Sequence, residues 1–198
     1  FQHLHGMENQ IVKVHGTSRA QPVGIGGIDF GNQSSLGIAR RFGGDKALAT
    51  LHDKPLIQHV IDRLAPQVET LVICGRDWPP YPNLVDRPAP GLGPLGALCA
   101  ALDHAAAHRF DAVLTSGCDL PYLPEDLAGR LSGDGARVAA GQPLLGFWPA
   151  KLVRRLEMHL AAGEDRRMST WLTIAAARTI DFGPIINVNR REDLAALE

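Results

Sequence analysis

Neither sign of charge dominates this chain, and that alone removes several function classes. Its 198 residues carry 20 Lys and Arg against 21 Asp and Glu, a net charge of −1. A nucleic-acid or anionic-membrane binder needs a basic surplus that is missing here. Cysteine is scarce as well. Cys74, Cys99 and Cys118 are too few and too scattered for a disulfide framework or a zinc site. They sit in or beside apolar runs, which predicts buried free thiols in a reducing compartment. No apolar run approaches the ~20 residues needed to span a bilayer. The first residues show no signal-peptide pattern, Met7 is a candidate natural start, and the cytoplasm is the expected location. With 45% hydrophobic and 21% charged residues, the composition suits a globular domain that buries its own core without disulfides or metals.

What the chain does have is one basic, Gly-rich stretch, Leu36-Gly37-Ile38-Ala39-Arg40-Arg41-Phe42-Gly43-Gly44-Asp45-Lys46. Glycines let backbone N–H groups approach phosphate oxygens, Arg can fork onto two oxygens, and Lys supplies a compact charge. Triphosphate binding calls for this chemistry, although an ordinary basic surface loop has the same composition. It is not a P-loop: no Gly directly precedes Lys46, and Ala47 follows where Ser or Thr would stand.

Residues 1–21 lack clear periodicity and are expected to form a flexible arm, with 22–198 as a single domain. Residues 23–30 are a candidate first strand, weakened by Gly24, Gly26 and Gly27. From Pro55 to Pro66 the pattern predicts an amphipathic helix with Leu56, Ile57, Val60, Ile61 and Leu64 on one face. Residues 71–75 and 112–115 read as short buried strands. Between them, 77–94 is a Pro-rich loop closing on Gly93-Pro94-Leu95-Gly96, which opens an Ala-rich helix to about His108. Further helices are expected from Pro124 and over 151–162, 167–177 and 193–197, with strands over 137–140, 144–148 and 179–182. Such alternation predicts an α/β fold with a mostly parallel central sheet, whose ligands bind beyond the carboxyl ends of the strands. The basic loop, the Pro-rich loop and Asp119 would meet at that edge.

Asp119 directly follows a buried strand, and Pro121 turns the chain there. A carboxylate facing a triphosphate suits Mg²⁺, which takes one or two carboxylates plus substrate phosphates; the plainer reading is a turn residue. Asp86, in the Pro-rich loop, reads equally as a ligand contact or a solvated turn. Asn187 and Asn189 alternate after an apolar pair, so both project to one face where their amides could bond a substrate or a metal, or serve a turn. His104, His108 and His159 lack partners at ligand spacing and read as structural or exposed. Trp78, Trp148 and Trp171 read as core or rim residues.

Taken together, the ordered motifs resemble the molybdenum cofactor guanylyltransferase family. The resemblance runs from about Leu36 to the C-terminus. It covers the loop through Lys46, then Lys54-Pro55-Leu56-Ile57-Gln58-His59-Val60 and Gly93-Pro94-Leu95-Gly96. It continues through Cys118-Asp119-Leu120-Pro121-Tyr122-Leu123-Pro124 to Asn187-Val188-Asn189 and Glu192-Asp193-Leu194. It implies a three-layer Rossmann-like nucleotidyltransferase fold. It also implies a reaction in which the terminal phosphate of molybdopterin attacks the α-phosphate of GTP and pyrophosphate leaves. Carried over, Gly37, Gly43, Gly44 and Lys46 would hold the triphosphate, with Asp86, Pro94, Leu95 and Gly96 also on the nucleotide. Lys46, Asp119, Arg40 and Arg41 would carry catalysis, Asp119 would bind Mg²⁺, and Asn187 and Asn189 would line the substrate side. The implied partners are GTP, molybdopterin and cofactor-accepting oxidoreductases or chaperones, with no nucleic acid and no membrane. One stretch departs: the family has Leu-Ala-Gly-Gly where this chain has Ser34-Ser35-Leu36-Gly37, and residues 23–30 are a candidate replacement for the preceding strand. Cytidylyl-transferring relatives usually carry Asp-Gln-Pro at Asp119-Leu120-Pro121, which favours guanylyl transfer here. Sugar-1-phosphate nucleotidyltransferases are usually longer. From a different class, a nucleotide- or pterin-binding module without turnover stays open.

Overall fold

A computed structural model describes residues 10–15, 45–163 and 165–198. In chain order, strand β1 (Gln10–His15) precedes a short 3-10 helix (Lys46–Leu48) and a small hairpin, β2 (Thr50–Leu51) and β3 (Lys54–Pro55). Then come α1 (Leu56–Leu64), β4 (Leu71–Cys74), β5 (Asn83–Leu84), α2 (Pro94–Ala107), β6 (Ala112–Gly117) and α3 (Leu127–Leu131). The remainder comprises β7 (Arg137–Ala139), β8 (Gln142–Pro149), α4 (Val153–Ala162), α5 (Met168–Ile174), β9 (Arg178–Ile180) and α6 (Arg191–Ala195).

The layers follow from strand periodicity. Successive side chains of a strand point to opposite faces. In β4, Leu71 and Ile73 enter one core while Val72 and Cys74 enter the other; in β6, Ala112 and Leu114 oppose Val113. The first core is closed by α1 and α3, the second by α2, α4 and α5. Both faces are covered, so every residue of β4 and β6 is buried. Helix α1 turns all five of its expected apolar residues inward. Helix α2 is buried nearly all round, as its small Ala, Gly and Leu residues allow. The three cysteines are buried and form no disulfide, and Trp148 and Trp171 are fully buried. No helix among the described residues is long and apolar enough to cross a membrane.

The seven-stranded sheet runs β5-β4-β1-β6-β8-β7-β9. It is mixed, which corrects the expectation of a mostly parallel sheet. Among the described strands, β4 pairs parallel with β5 and β7 with β9, whereas β1 opposes β4 and β6, and β8 opposes β6 and β7. The reason at β8 is local. Only Ala140 and Gly141 join β7 to β8, Gly141 takes a left-handed φ of 72°, and so tight a turn can only make an antiparallel pair. At the centre, Gln10–His15 lie between β4 and β6, although these residues belong to the stretch expected to be a flexible arm. The candidate strand over 23–30 lies outside the described residues. The carboxyl ends of β4, β5, β6 and β7 and the amino end of β8 still share one edge of the sheet, and the site lies there.

Candidate active site

At that edge the Lys46 ammonium, 4% exposed, donates to Asp119 Oδ2 at 3.1 Å and to Asn189 Oδ1 at 2.9 Å. Each partner is placed by its own local chemistry. Asp45 caps the 3-10 turn, its Oδ1 accepting from the Ala47 N–H at 3.1 Å. Its other oxygen accepts from Arg76, which directly follows Gly75 at the end of β4. Ala47 is fully buried in the core, so the lysine between them has little freedom.

Asp119 leaves β6 across Gly117. A Cβ at position 117 would stand 2.2 Å from Asp119 Oδ1, so only glycine lets the carboxylate fold back over the strand end. The Asp119 carbonyl accepts from the Val188 N–H at 2.9 Å. Val188 is fully buried against Leu51 and Leu56, and this peg fixes the two asparagines beside it. The Asn189 and Arg190 N–H groups donate to Asp193 Oδ2 at 2.6 and 2.8 Å, capping α6. Those two bonds hold the Asp193 carboxyl below the ordinary carboxylate value.

The two asparagines take different partners. Asn189 joins Lys46, whereas Asn187 Nδ2 donates across to Gln142 Oε1 at 3.4 Å. Asn187 Oδ1 is buried and has no hydrogen-bond partner among the described residues.

Asp86 is drawn into its own loop. Burial raises its pKa to about 6, against the pull of N–H bonds from Leu92, Gly91 and Gly93. Its carboxylate lies 3.1 Å from where a Gly96 Cβ would be, and Leu92 Cβ only 2.6 Å, so the loop closes tightly on the first turn of α2. Leu95 points into the core, fully buried. Pro94, Leu95 and Gly96 therefore offer a ligand backbone and shape, not side-chain chemistry. Gly37, Arg40, Arg41, Gly43 and Gly44 lie outside the described residues. Sequence reasoning gave no site role to Arg76, Gly117, Gln142 or Asp193. The signal for Arg76 was there: it follows a buried strand just as closely as Asp119 follows its own.

Residues 37–179 match the family of the MobA-like NTP transferase domain. The chain belongs to the MobA-like NTP transferase family. A molybdenum cofactor guanylyltransferase of Cereibacter sphaeroides is 40% identical over 183 residues, covering 85% of this chain and 95% of that protein. Another, from Bradyrhizobium sp. (strain ORS 278), is 34% identical over 186 residues, covering 82% and 88%. The solved molybdopterin-guanine dinucleotide biosynthesis protein A of Archaeoglobus fulgidus aligns with a TM-score of 0.63 at 20% identity, over 82% of this chain and 93% of that one, a likeness of fold.

In this MobA-like chain, Asp86 gives a test that needs no substrate. Its folded pKa of about 6 exceeds the 3.8 of a free Asp, so the folded state binds the proton more tightly than the unfolded chain. The stability this brings is complete below about pH 4 and is lost as pH rises through about 6. Asp86→Asn cannot ionise. Its melting temperature relative to the parent should therefore climb between about pH 4 and about pH 7. A difference that stays flat across this range would show that the carboxyl is not held protonated by burial.

Proposed function

We propose that this chain transfers GMP from GTP to the terminal phosphate of molybdopterin, releasing pyrophosphate and forming the guanine dinucleotide cofactor. The observation that carries the reading is the Lys46–Asp119–Asn189 cluster at the carboxyl edge of the sheet, in a chain whose relatives bear the guanylyltransferase name. A phosphate oxygen of the pterin attacks the α-phosphorus while the bond to the bridging β-phosphate oxygen breaks. No protein nucleophile is needed; the work is positioning and charge neutralisation.

Two of the three ammonium donors of Lys46 are used among the described residues, and they aim it. The third is left for a phosphate oxygen. The buried, pre-placed charge does not have to reorganise as negative charge builds up on the leaving pyrophosphate. Arg76 steadies this arrangement through Asp45. Arg40 and Arg41, with Gly37, Gly43 and Gly44, add charge and backbone donors on the triphosphate. Asp86 shapes the loop before α2, and with Pro94, Leu95 and Gly96 it walls the nucleotide. Asn187 lies on the pterin side.

No three His, Cys, Asp or Glu residues gather as a metal cage among the described residues. One carboxylate, Asp119, beside one amide oxygen, Asn189, is nevertheless a donor set that fits Mg²⁺, which shares its shell with phosphates and water. Bound at Asp119, Mg²⁺ would neutralise triphosphate charge. A GTP donor supports a cytoplasmic reaction, and the product's consumers would be oxidoreductases or chaperones that accept the finished cofactor.

The deciding assay supplies Mg²⁺, molybdopterin and each NTP in turn and measures pyrophosphate. GTP should exceed CTP at least tenfold in kcat/KM, about 1.4 kcal/mol. Equal or better use of CTP would reassign the base, and tight GTP binding without pyrophosphate release would make the chain a binding module.

A further inference from the structure

Gln142 has no part in the reaction as described, yet it accepts from Asn187, whose other amide atom is a buried acceptor with no partner among the described residues. It is the first residue of β8, set immediately after the Ala140–Gly141 turn and opposite Ala139. This placement on a short hairpin gives its side chain a fixed origin at the carboxyl edge of the sheet. Asn187 Nδ2 donates to its Oε1, and Asn187 Oδ1 stays buried and unpaired among the described residues. A buried carbonyl oxygen without a donor costs free energy, so its retention calls for a reason.

The amide pair supplies one. A single amide–amide bond consumes one donor and one acceptor, leaving an NH₂ group on one residue and a carbonyl oxygen on the other. Turning both amides over leaves the same set. A neighbouring donor and acceptor complement a ligand edge that carries N–H groups beside a carbonyl. The 2-amino-pyrimidinone ring has this edge, and it occurs twice in the proposed reaction: in the pterin and in the guanine of GTP.

Position separates the two. In the strand order β5-β4-β1-β6-β8, the Lys46–Asp119 pair stands at the end of β6. Asp86 follows β5 at the far end of that order, and Gln142 opens β8 on the opposite side of the pair. Resting on the guanylyl-transfer reading above, we propose that Gln142, with Asn187, binds the pyrimidinone edge of the pterin and sets its specificity.

The test is binding, measured separately for each substrate on Gln142→Ala and Gln142→Leu proteins with unchanged melting temperatures. Molybdopterin affinity without nucleotide should fall at least tenfold, about 1.4 kcal/mol, while GTP affinity without pterin stays within about twofold. At saturation kcat should hold within about threefold, with the loss appearing in the molybdopterin KM. A second arm needs no variant. A simple pterin should displace molybdopterin from the parent protein at least tenfold better than lumazine, in which an oxygen replaces the 2-amino group. Loss of GTP affinity alone would move the pair to the guanine and overturn the pterin assignment. Unchanged affinities, or lumazine competing as well as pterin, would reduce the pair to a structural contact. If the parent released no pyrophosphate from any NTP, the proposed reaction would fall, while the two binding comparisons would still decide the role of Gln142.

Discussion

Asp119→Asn should yield a folded protein that releases pyrophosphate from GTP at least about a hundredfold more slowly than its parent. The fold should survive because the amide oxygen still accepts from Lys46, and Asn189 supplies a second acceptor at 2.9 Å. The Asp119 side chain is 26% exposed, so the swap costs on the order of 1 kcal/mol of stability, the worth of a weakened hydrogen bond. What disappears is the negative charge that, in the proposed reaction, would hold a cation against the phosphates. The loss should therefore fall on kcat more than on the KM for GTP. Near-normal pyrophosphate release by a folded variant would show that any metal is held elsewhere.

Lys46→Ala should damage binding and chemistry together. In the proposed reaction the ammonium faces phosphates in the ground state and in the transition state, so KM for GTP should rise while kcat falls, by about 10²–10³ in kcat/KM. Lys46→Arg should not restore activity. The slot is nearly closed to solvent, and a planar guanidinium cannot replace a compact ammonium gripped by two oxygens. Removing one member of a buried ion pair typically costs about 3–5 kcal/mol. Here the stability loss should be well below that, because Asn189 is exposed and Asp119 partly so, and water can take over both acceptors. Kinetics and thermal melting on the same preparations check this. A lowered melting temperature with unaltered kinetics would make Lys46 a structural residue only.

What could be read in the sequence was what local pattern decides. The one-sided apolar stripe of α1, the wholly apolar β4, the apolar start of β6, and the Gly-Pro opening of α2 are each set within a few residues, and each lies where the pattern put it. Asp119 was recognisable because a buried strand must end and Pro121 must turn the chain. Sheet direction was not legible, since pairing is settled between distant segments. Residues 137–140 and 144–148 were read as strands, but only the two-residue link at Gly141 makes them a hairpin and reverses β8. Gln10–His15 offered too short an apolar pattern to outweigh their polar surroundings, yet they occupy the centre of the sheet. Asp86 was legible as a candidate contact or a turn residue, but not as a carboxyl turned in on its own loop. Gln142 carried no motif; only a long-range partner reveals it. Guanine and molybdopterin came from family resemblance, because a phosphate-binding cluster does not name the base or the acceptor.

The Val188 peg also has a consequence for the timing of manufacture. Lys46 and Asn189 are separated by 143 positions, and Val188 ties the last of these segments to the Asp119 carbonyl. At translation speeds of about 5–20 residues per second, Asn189 leaves the ribosome on the order of several seconds after Asp119. Through that interval the nascent chain already has its lysine and its carboxylate but lacks the amide that helps to clamp them. A ribosome-bound fragment therefore holds the Lys46–Asp119 pair in an unlocked form, and the full cluster forms only once Asn189 has emerged. Chains that stall or terminate before Val188 should accumulate without the completed Lys46–Asp119–Asn189 cluster.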